Sequence, residues 1–327
     1  VTSGRTATSS SSSVPDRNCL KRLGRPPGRP FSLMHSSLAR FFIDKAASDF
    51  EPAGMYTHAT DAGWISRTHR AIAPFRLQQP TTPSEVVQAL IESEDSSIIA
   101  GGIDLVRRMR SGNSQDTLID LSAVSGLREI EDHAGFIRIG ALATHWDVET
   151  SPLLAARLPA FQAAWKTIGN VRIRMTGTVG GNLMAAERAY DGPVLLGVSG
   201  AKLVFLTDGG EVKIAASDGA GSYPSRALLT AIEIPVMPNA QLGFDRTLKP
   251  VVSVAVGLVD QDVSVGVGCA HISPFFWSGK VSEVEAALAS ALPEPIDNPM
   301  GSAAYRRRMV TVLARRLIRH LHEGDAS

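Results

Sequence analysis

Apolar residues change their spacing repeatedly along this chain, and each change marks an element. Val86, Val87, Leu90 and Ile91 recur at helical spacing. Thr82-Pro83-Ser84-Glu85 opens that helix, with a Thr cap, Pro in the first turn and Glu three residues after the cap. Ser97-Ile98-Ile99-Ala100 reads as a short buried strand, Gly101-Gly102 breaks it, and Asp104–Met109 reads as a helix. Leu118–Leu121 and Phe136–Ile139 read as strands. A helical stretch covers roughly Thr144–Ile168, broken around Pro152 and Pro159. Lys202–Leu206 and Glu211–Ile214 form a hairpin pattern around Asp208-Gly209-Gly210.

Past about residue 240 the pattern becomes β-rich. Val251–Val259 and Val263–Cys269 are joined by a polar turn at Asp260-Gln261. Ser282-Glu283-Val284-Glu285 has the form of a second capping box. Ser302–His322 reads as a long amphipathic helix with Tyr305, Met309, Val312, Leu313, Leu317 and Leu321 on one stripe. Arg306, Arg307, Arg308, Arg315 and Arg316 are read as its solvated or partner-facing side.

The first 70 residues differ. Residues 1–42 carry Arg5, Arg17, Lys21, Arg22, Arg25, Arg29 and Arg40 against one acid, Asp16, with the run Ser9 to Ser13 and the turn-rich Gly24–Pro30. Such a composition predicts disorder, because too little apolar surface can be buried to offset the ordering entropy. It is Arg- and Ser-rich like a transit peptide, without a clear apolar signal core. Met34 and Met55 are later candidate starts, and Leu38–Ala47 is a short helix candidate.

The rest of the composition mainly excludes. The 327 residues allow roughly two domains at about 150 residues each. A net charge of +1 is too balanced for a general nucleic-acid binder. Cys19 and Cys269, the two cysteines, cannot ligate an iron–sulfur cluster or build a disulfide framework. No apolar run approaches the ~18 residues of a membrane span, and a reducing, cytoplasmic setting is the expectation.

Two glycine loops carry the candidate chemistry. Ala100-Gly101-Gly102-Ile103-Asp104-Leu105 lies between a strand and a helix, and Thr178-Val179-Gly180-Gly181-Asn182 is the second. Paired glycines let backbone N–H groups approach a phosphate closely, and a helix start beside them adds partial positive charge. Thr178 and Asn182 add side-chain hydrogen bonds. Each loop alone reads more simply as a tight turn, whereas the two together suit a pyrophosphate. Gly266-Val267-Gly268 lacks the third glycine of a dinucleotide fingerprint and reads as a packing site.

These motifs, in this order, resemble the FAD-binding medium subunit of the molybdenum hydroxylases. Pro74–Pro80 is similar to the family's opening strand, Ala100–Leu105 to its first FAD loop, and Ile139–His145 to the segment before its central helix. Arg174 with Gly177–Leu183 is similar to the second FAD loop, Asp191 follows it in the expected place, and Ser302–Arg316 resembles the last helix. The resemblance implies an α+β chain. A two-subdomain FAD-binding domain of the vanillyl-alcohol-oxidase (PCMH) type over 71–240 would follow the 1–70 extension. A small C-terminal domain over 241–327, with a three-stranded antiparallel sheet and helices, would complete it. It implies FAD contacts from Ala100, Gly101, Gly102, Ile103, Asp104, Leu105, Leu142, Thr144, Thr178, Val179, Gly180, Gly181, Asn182 and Asp191. Arg246 would stand where a flavin-side basic residue sits.

It further implies a molybdopterin-binding large subunit and a small subunit with [2Fe–2S] clusters, doubled into an (αβγ)2 heterohexamer, with electrons leaving from FAD to an external acceptor. Substrate would be hydroxylated on another subunit, with N-heteroaromatics the first class to test on family breadth. The chain departs from the family pattern at Ser97, Met175 and Glu187-Arg188. Two alternatives stand beside this reading: a stand-alone FAD-dependent reductase or oxidase on the same fold, and a scaffold subunit that has lost FAD.

Overall fold

The computed structural model describes residues 72–324. The readings for residues 1–70, including the Leu38–Ala47 helix, lie outside the described residues. The elements are β1 (Arg76–Gln78), α1 (Pro83–Glu92), β2 (Ser96–Ile99), α2 (Ile103–Arg110) and β3 (Thr117–Asp120), then β4 (Ile130–His133) and β5 (Phe136–Gly140). Six short helices follow: α3 (His145–Thr150), α4 (Pro152–Arg157), α5 (Pro159–Trp165), α6 (Val171–Thr176), α7 (Val179–Met184) and α8 (Gly192–Val198). The remainder is β6 (Lys202–Thr207), β7 (Gly210–Ala215), β8 (Leu228–Pro235), β9 (Gln241–Arg246), β10 (Ser253–Val259), β11 (Asp262–Gly268), β12 (Phe275–Lys280), α9 (Val284–Ser290) and α10 (Ala303–Gly324).

Three sheets organise these elements. β1, β3 and β2 form a parallel sheet in that order, closed by α1, whose Val86, Val87 and Ala89 pack with Ile119 and Leu121. The α1 start is as read: Thr82 Oγ1 accepts from the Glu85 N–H while the Glu85 carboxylate accepts from the Thr82 N–H. A five-stranded antiparallel sheet of order β4-β5-β8-β6-β7 is backed by the short helices, over a core that includes Trp165, Phe205 and Leu195. Pro152 and Pro159 each open a new helix, because proline has no N–H to give and suits a first turn.

The third sheet is an antiparallel meander of order β12-β11-β10-β9, covered by α9 and α10 over a valine-rich core. It has four strands where three were expected. Gln241–Arg246 is short and mixed in polarity, so its pairing with β10 leaves no clear periodicity. The helix expected from Ser282 begins at Val284, after a 3-10 turn whose Glu283 carboxylate accepts from the Lys280 N–H at 3.0 Å.

The last helix corrects the stripe read from sequence. Tyr305 and Val312 are exposed, whereas Arg306 turns inward and is 2% exposed. Its guanidinium donates to the carbonyls of Gly301 (3.1 Å), Val251 (2.6 Å) and Cys269 (3.0 Å) and to Asn298 Oδ1 (2.7 Å). A buried arginine is tolerated because its rigid fork is fully used by fixed acceptors. Arg308, Arg315 and Arg316 are exposed as expected.

Candidate FAD site

The site grows from three segments that meet. β2 ends at Ile99, and Gly102 takes a left-handed turn (φ 70°) that starts α2 without a side-chain cap. Glycine makes that conformation without strain. A Cβ at Gly101 would collide with the carbonyl oxygen of Thr176, so the backbones of the two loops touch there. The third segment leaves β5. The His145 N–H donates to Gly177 O (3.0 Å), the Val179 N–H to Ala143 O (2.9 Å) and the Gly180 N–H to Ala141 O (2.8 Å).

These contacts divide the labour between the loops. In the second, the Gly181 N–H is held by Thr178 Oγ1 at 3.0 Å and the Asn182 N–H by Thr178 O at 3.0 Å. With Val179 bonded to Ala143 and Gly180 to Ala141, the four amides of Val179–Asn182 are occupied within the protein. In the first loop the N–H groups of Ile103, Asp104 and Leu105 find no acceptor among the described residues. Those amides open a helix, where the dipole favours an anion.

The other sequence candidates fall close by. Thr144 caps α3, accepting from the Asp147 N–H at 3.1 Å, and bridges to Thr178 across the loops. The Leu142 side chain turns into the core beside Val86 and Leu228. Asp191, 3% exposed, accepts from Arg246 Nη1 at 2.5 Å through Oδ2, while Arg246 Nη2 donates to Thr167 O at 3.1 Å. Arg246 on β9 is thus brought onto Asp191 from the C-terminal sheet. Burial pushes the Asp191 carboxyl above the ordinary carboxylate value, and the Arg246 charge opposes that rise.

Four buried polar atoms here have no partner among the described residues: His145 Nδ1, Trp165 Nε1, Asn182 Oδ1 and Asp191 Oδ1. Gly192 packs directly on Asn182 Oδ1, where a Cβ would collide, and sits against Trp165. His145 and Trp165 lie 5.4 Å apart between ring centroids. Sequence reasoning placed His145 only at the end of the Ile139–His145 segment and missed Trp165 and Gly192 as site neighbours, since no local motif marks either.

His145 carries a pH prediction. Burial and the Arg174 charge hold its pKa down from 6.5 to about 4. A depressed folded pKa means the unfolded chain takes the proton first, so stability is full above about pH 6.5 and falls as pH drops towards 4. The loss should total about 3 kcal/mol. Denaturant unfolding across this range should show that slope in the parent and a flatter one in His145→Gln; equal slopes would assign the effect elsewhere.

Unpaired donors at the first loop and unpaired acceptors at Asn182 and Asp191 fit a ligand that has both an anionic and a hydroxyl- or N–H-bearing part. A flavin dinucleotide has both: pyrophosphate oxygens accept, and sugar hydroxyls and the ring N–H donate. Residues 73–237 match the family described as the FAD binding domain in molybdopterin dehydrogenase.

This chain belongs to that family.

It is an FAD subunit of the molybdenum hydroxylase dehydrogenases. It is 31% identical to the nicotine 6-hydroxylase medium subunit of Paenarthrobacter nicotinovorans, over 74% of this chain and 95% of that one. It is 27% identical to the carbon monoxide dehydrogenase medium chain of Afipia carboxidovorans, over 75% and 95%. Among solved structures, quinoline 2-oxidoreductase from Pseudomonas putida 86 superposes with a TM-score of 0.71 at 25% identity, covering 78% of this chain and 99% of that one. No helix among the described residues is long and apolar enough to cross a membrane.

Proposed function

We propose that this subunit holds FAD across the two glycine loops and passes electrons from [2Fe–2S] clusters on a partner to an external acceptor. The observation that carries the site is the pairing of free α2 amides with the orphaned oxygens of Asn182 and Asp191. The bound FAD supplies the redox chemistry. Gly101 and Gly102 set the close backbone approach, and the amides of Ile103–Leu105 receive the pyrophosphate. Thr178, Val179, Gly180 and Gly181 form the rigid opposite wall, held by Ala141, Ala143 and Thr144. Asn182 Oδ1 and Asp191 Oδ1 accept from hydroxyl or ring N–H groups, and Arg246 keeps the Asp191 carboxylate oriented. Ala100 and Leu142 belong to the packing that fixes the loops.

The domain limits proposed are 71–240 for FAD binding and 241–327 for the C-terminal sheet and helices, in keeping with a family match that ends at 237 and a third sheet that begins at Gln241. Partners are a molybdopterin-binding large subunit and a [2Fe–2S] small subunit, assembled as (αβγ)2 in the cytoplasm. Two cysteines cannot ligate a [2Fe–2S] cluster, so electrons enter from another chain. Hydroxylation of an N-heteroaromatic is the proposed overall reaction, supported by the names of the nicotine 6-hydroxylase and quinoline 2-oxidoreductase relatives.

Anaerobic mixing with a panel of heteroaromatics and aldehydes tests the route. Flavin in the purified complex should bleach with a substrate, while that of the lone chain should stay oxidised. Rapid bleaching of the lone chain would favour a stand-alone oxidase instead.

A further inference from the structure

Asp104 stands in the first turn of α2, beside the amides assigned to the pyrophosphate, yet its carboxylate is spent inside the protein. Oδ1 accepts from Arg107 Nη2 at 2.5 Å and from the Tyr190 hydroxyl at 3.4 Å, and Oδ2 lies 2.6 Å from Arg108 Nε. Arg108 Nη2 donates onward to the carbonyl of Ala185 at 2.5 Å, and Arg107 reaches towards Glu187 at 3.9 Å. Burial and the Asp104 charge push the Tyr190 hydroxyl up to about 12, so it remains a proton donor. The network joins the helix of the first loop to the segment that leaves the second loop after α7.

A negative charge beside an anion site opposes anion binding by Coulomb's law. Here the Asp104 charge is met by Arg107 and Arg108, and both of its oxygens are engaged within the protein. We infer that Asp104 is a positioning residue whose carboxylate clamps α2 to the Ala185–Tyr190 segment and so fixes the aim of the α2 amides. The inference rests on the FAD-site reading above. The side chain does not touch the cofactor; the backbone N–H does.

The test titrates flavin-free full-length chain with FAD and follows quenching of flavin fluorescence, beside thermal melts of the same flavin-free samples. Asp104→Asn should weaken FAD binding about tenfold, in the range of coupling for networked residues. Asp104→Glu should recover part of that loss. Arg108→Gln should weaken binding comparably, and the double variant should be no weaker than the worse single. Melting should not track the loss of affinity across the set.

Tighter binding by Asp104→Asn would mean that charge alone governs, and additive losses would mean that Asp104 contacts FAD independently; either overturns the clamp. Should Asp104→Asn fail to fold, Arg108→Gln and Tyr190→Phe provide the same cycle, and additive losses there would also overturn it. A parent chain that binds no FAD would defeat the site reading itself, which sets that failure apart from a failure of the clamp.

Discussion

Gly181→Val should fold normally and lose FAD. A Cβ at Gly181 meets only Thr178 Oγ1, at 2.8 Å, so the new side chain extends into the space before the second loop. Disturbing the Thr178 cap costs about 1 kcal/mol, and valine returns only a few tenths of a kcal/mol over glycine in a helix, so stability falls by less than about 1 kcal/mol. FAD affinity should fall at least about 100-fold, roughly 2.7 kcal/mol, because valine occupies the approach path of the phosphates. Gly101→Ala is the informative contrast. Its Cβ would strike the Thr176 carbonyl, so the loops must part, and overpacking of this kind costs about 1–3 kcal/mol. That variant should lose both stability and flavin. Melting curves and released FAD, measured on both, check the pair; full flavin in Gly181→Val would remove the second loop from the site.

Arg306→Ala should strongly destabilise the third sheet and the helices that cover it. It strands the carbonyls of Gly301, Val251 and Cys269 and the Asn298 side chain, and it empties the volume of a long buried side chain. Each stranded buried acceptor costs about 1–3 kcal/mol, and partial relaxation leaves a total on the order of 3 kcal/mol or more. For a folded region of this size the melting temperature should drop by roughly 6 °C or more. Arg308→Ala, two positions on but exposed, should stay within about 0.5 kcal/mol of the parent. Equal melting temperatures for the two variants would contradict the assignment of Arg306 as the tie between α10 and the third sheet.

Local signals were legible in the sequence, and long-range pairings were not. The Thr82–Glu85 start, the proline breaks and the Asp208-Gly209-Gly210 hairpin each follow from chemistry within a few residues, and the structure has them all. The glycine pairs are local signals too, because adjacent glycines admit a close backbone approach. What approaches them could not be read from the pairs. Gly101 answers to Thr176, and Gly192 to Asn182, contacts set by the fold. The Asp191–Arg246 pair spans 55 residues and two sheets, and no local pattern announces it. Arg306 sits inside an Arg-Arg-Arg run whose composition points to solvent, and its acceptors come from the fold: carbonyls beside β10 and β11 and the Asn298–Gly301 segment before α10.

The central claim is that this chain itself holds FAD, and flavin content tests it most directly. The full-length chain, purified with its partners and then alone, is denatured, and the released flavin is identified and counted against protein. The account predicts about one noncovalently held FAD per chain in both preparations, with the absorption bands of oxidised flavin before denaturation. Protein that melts cooperatively yet releases no FAD, and takes up none when excess is supplied, would contradict it.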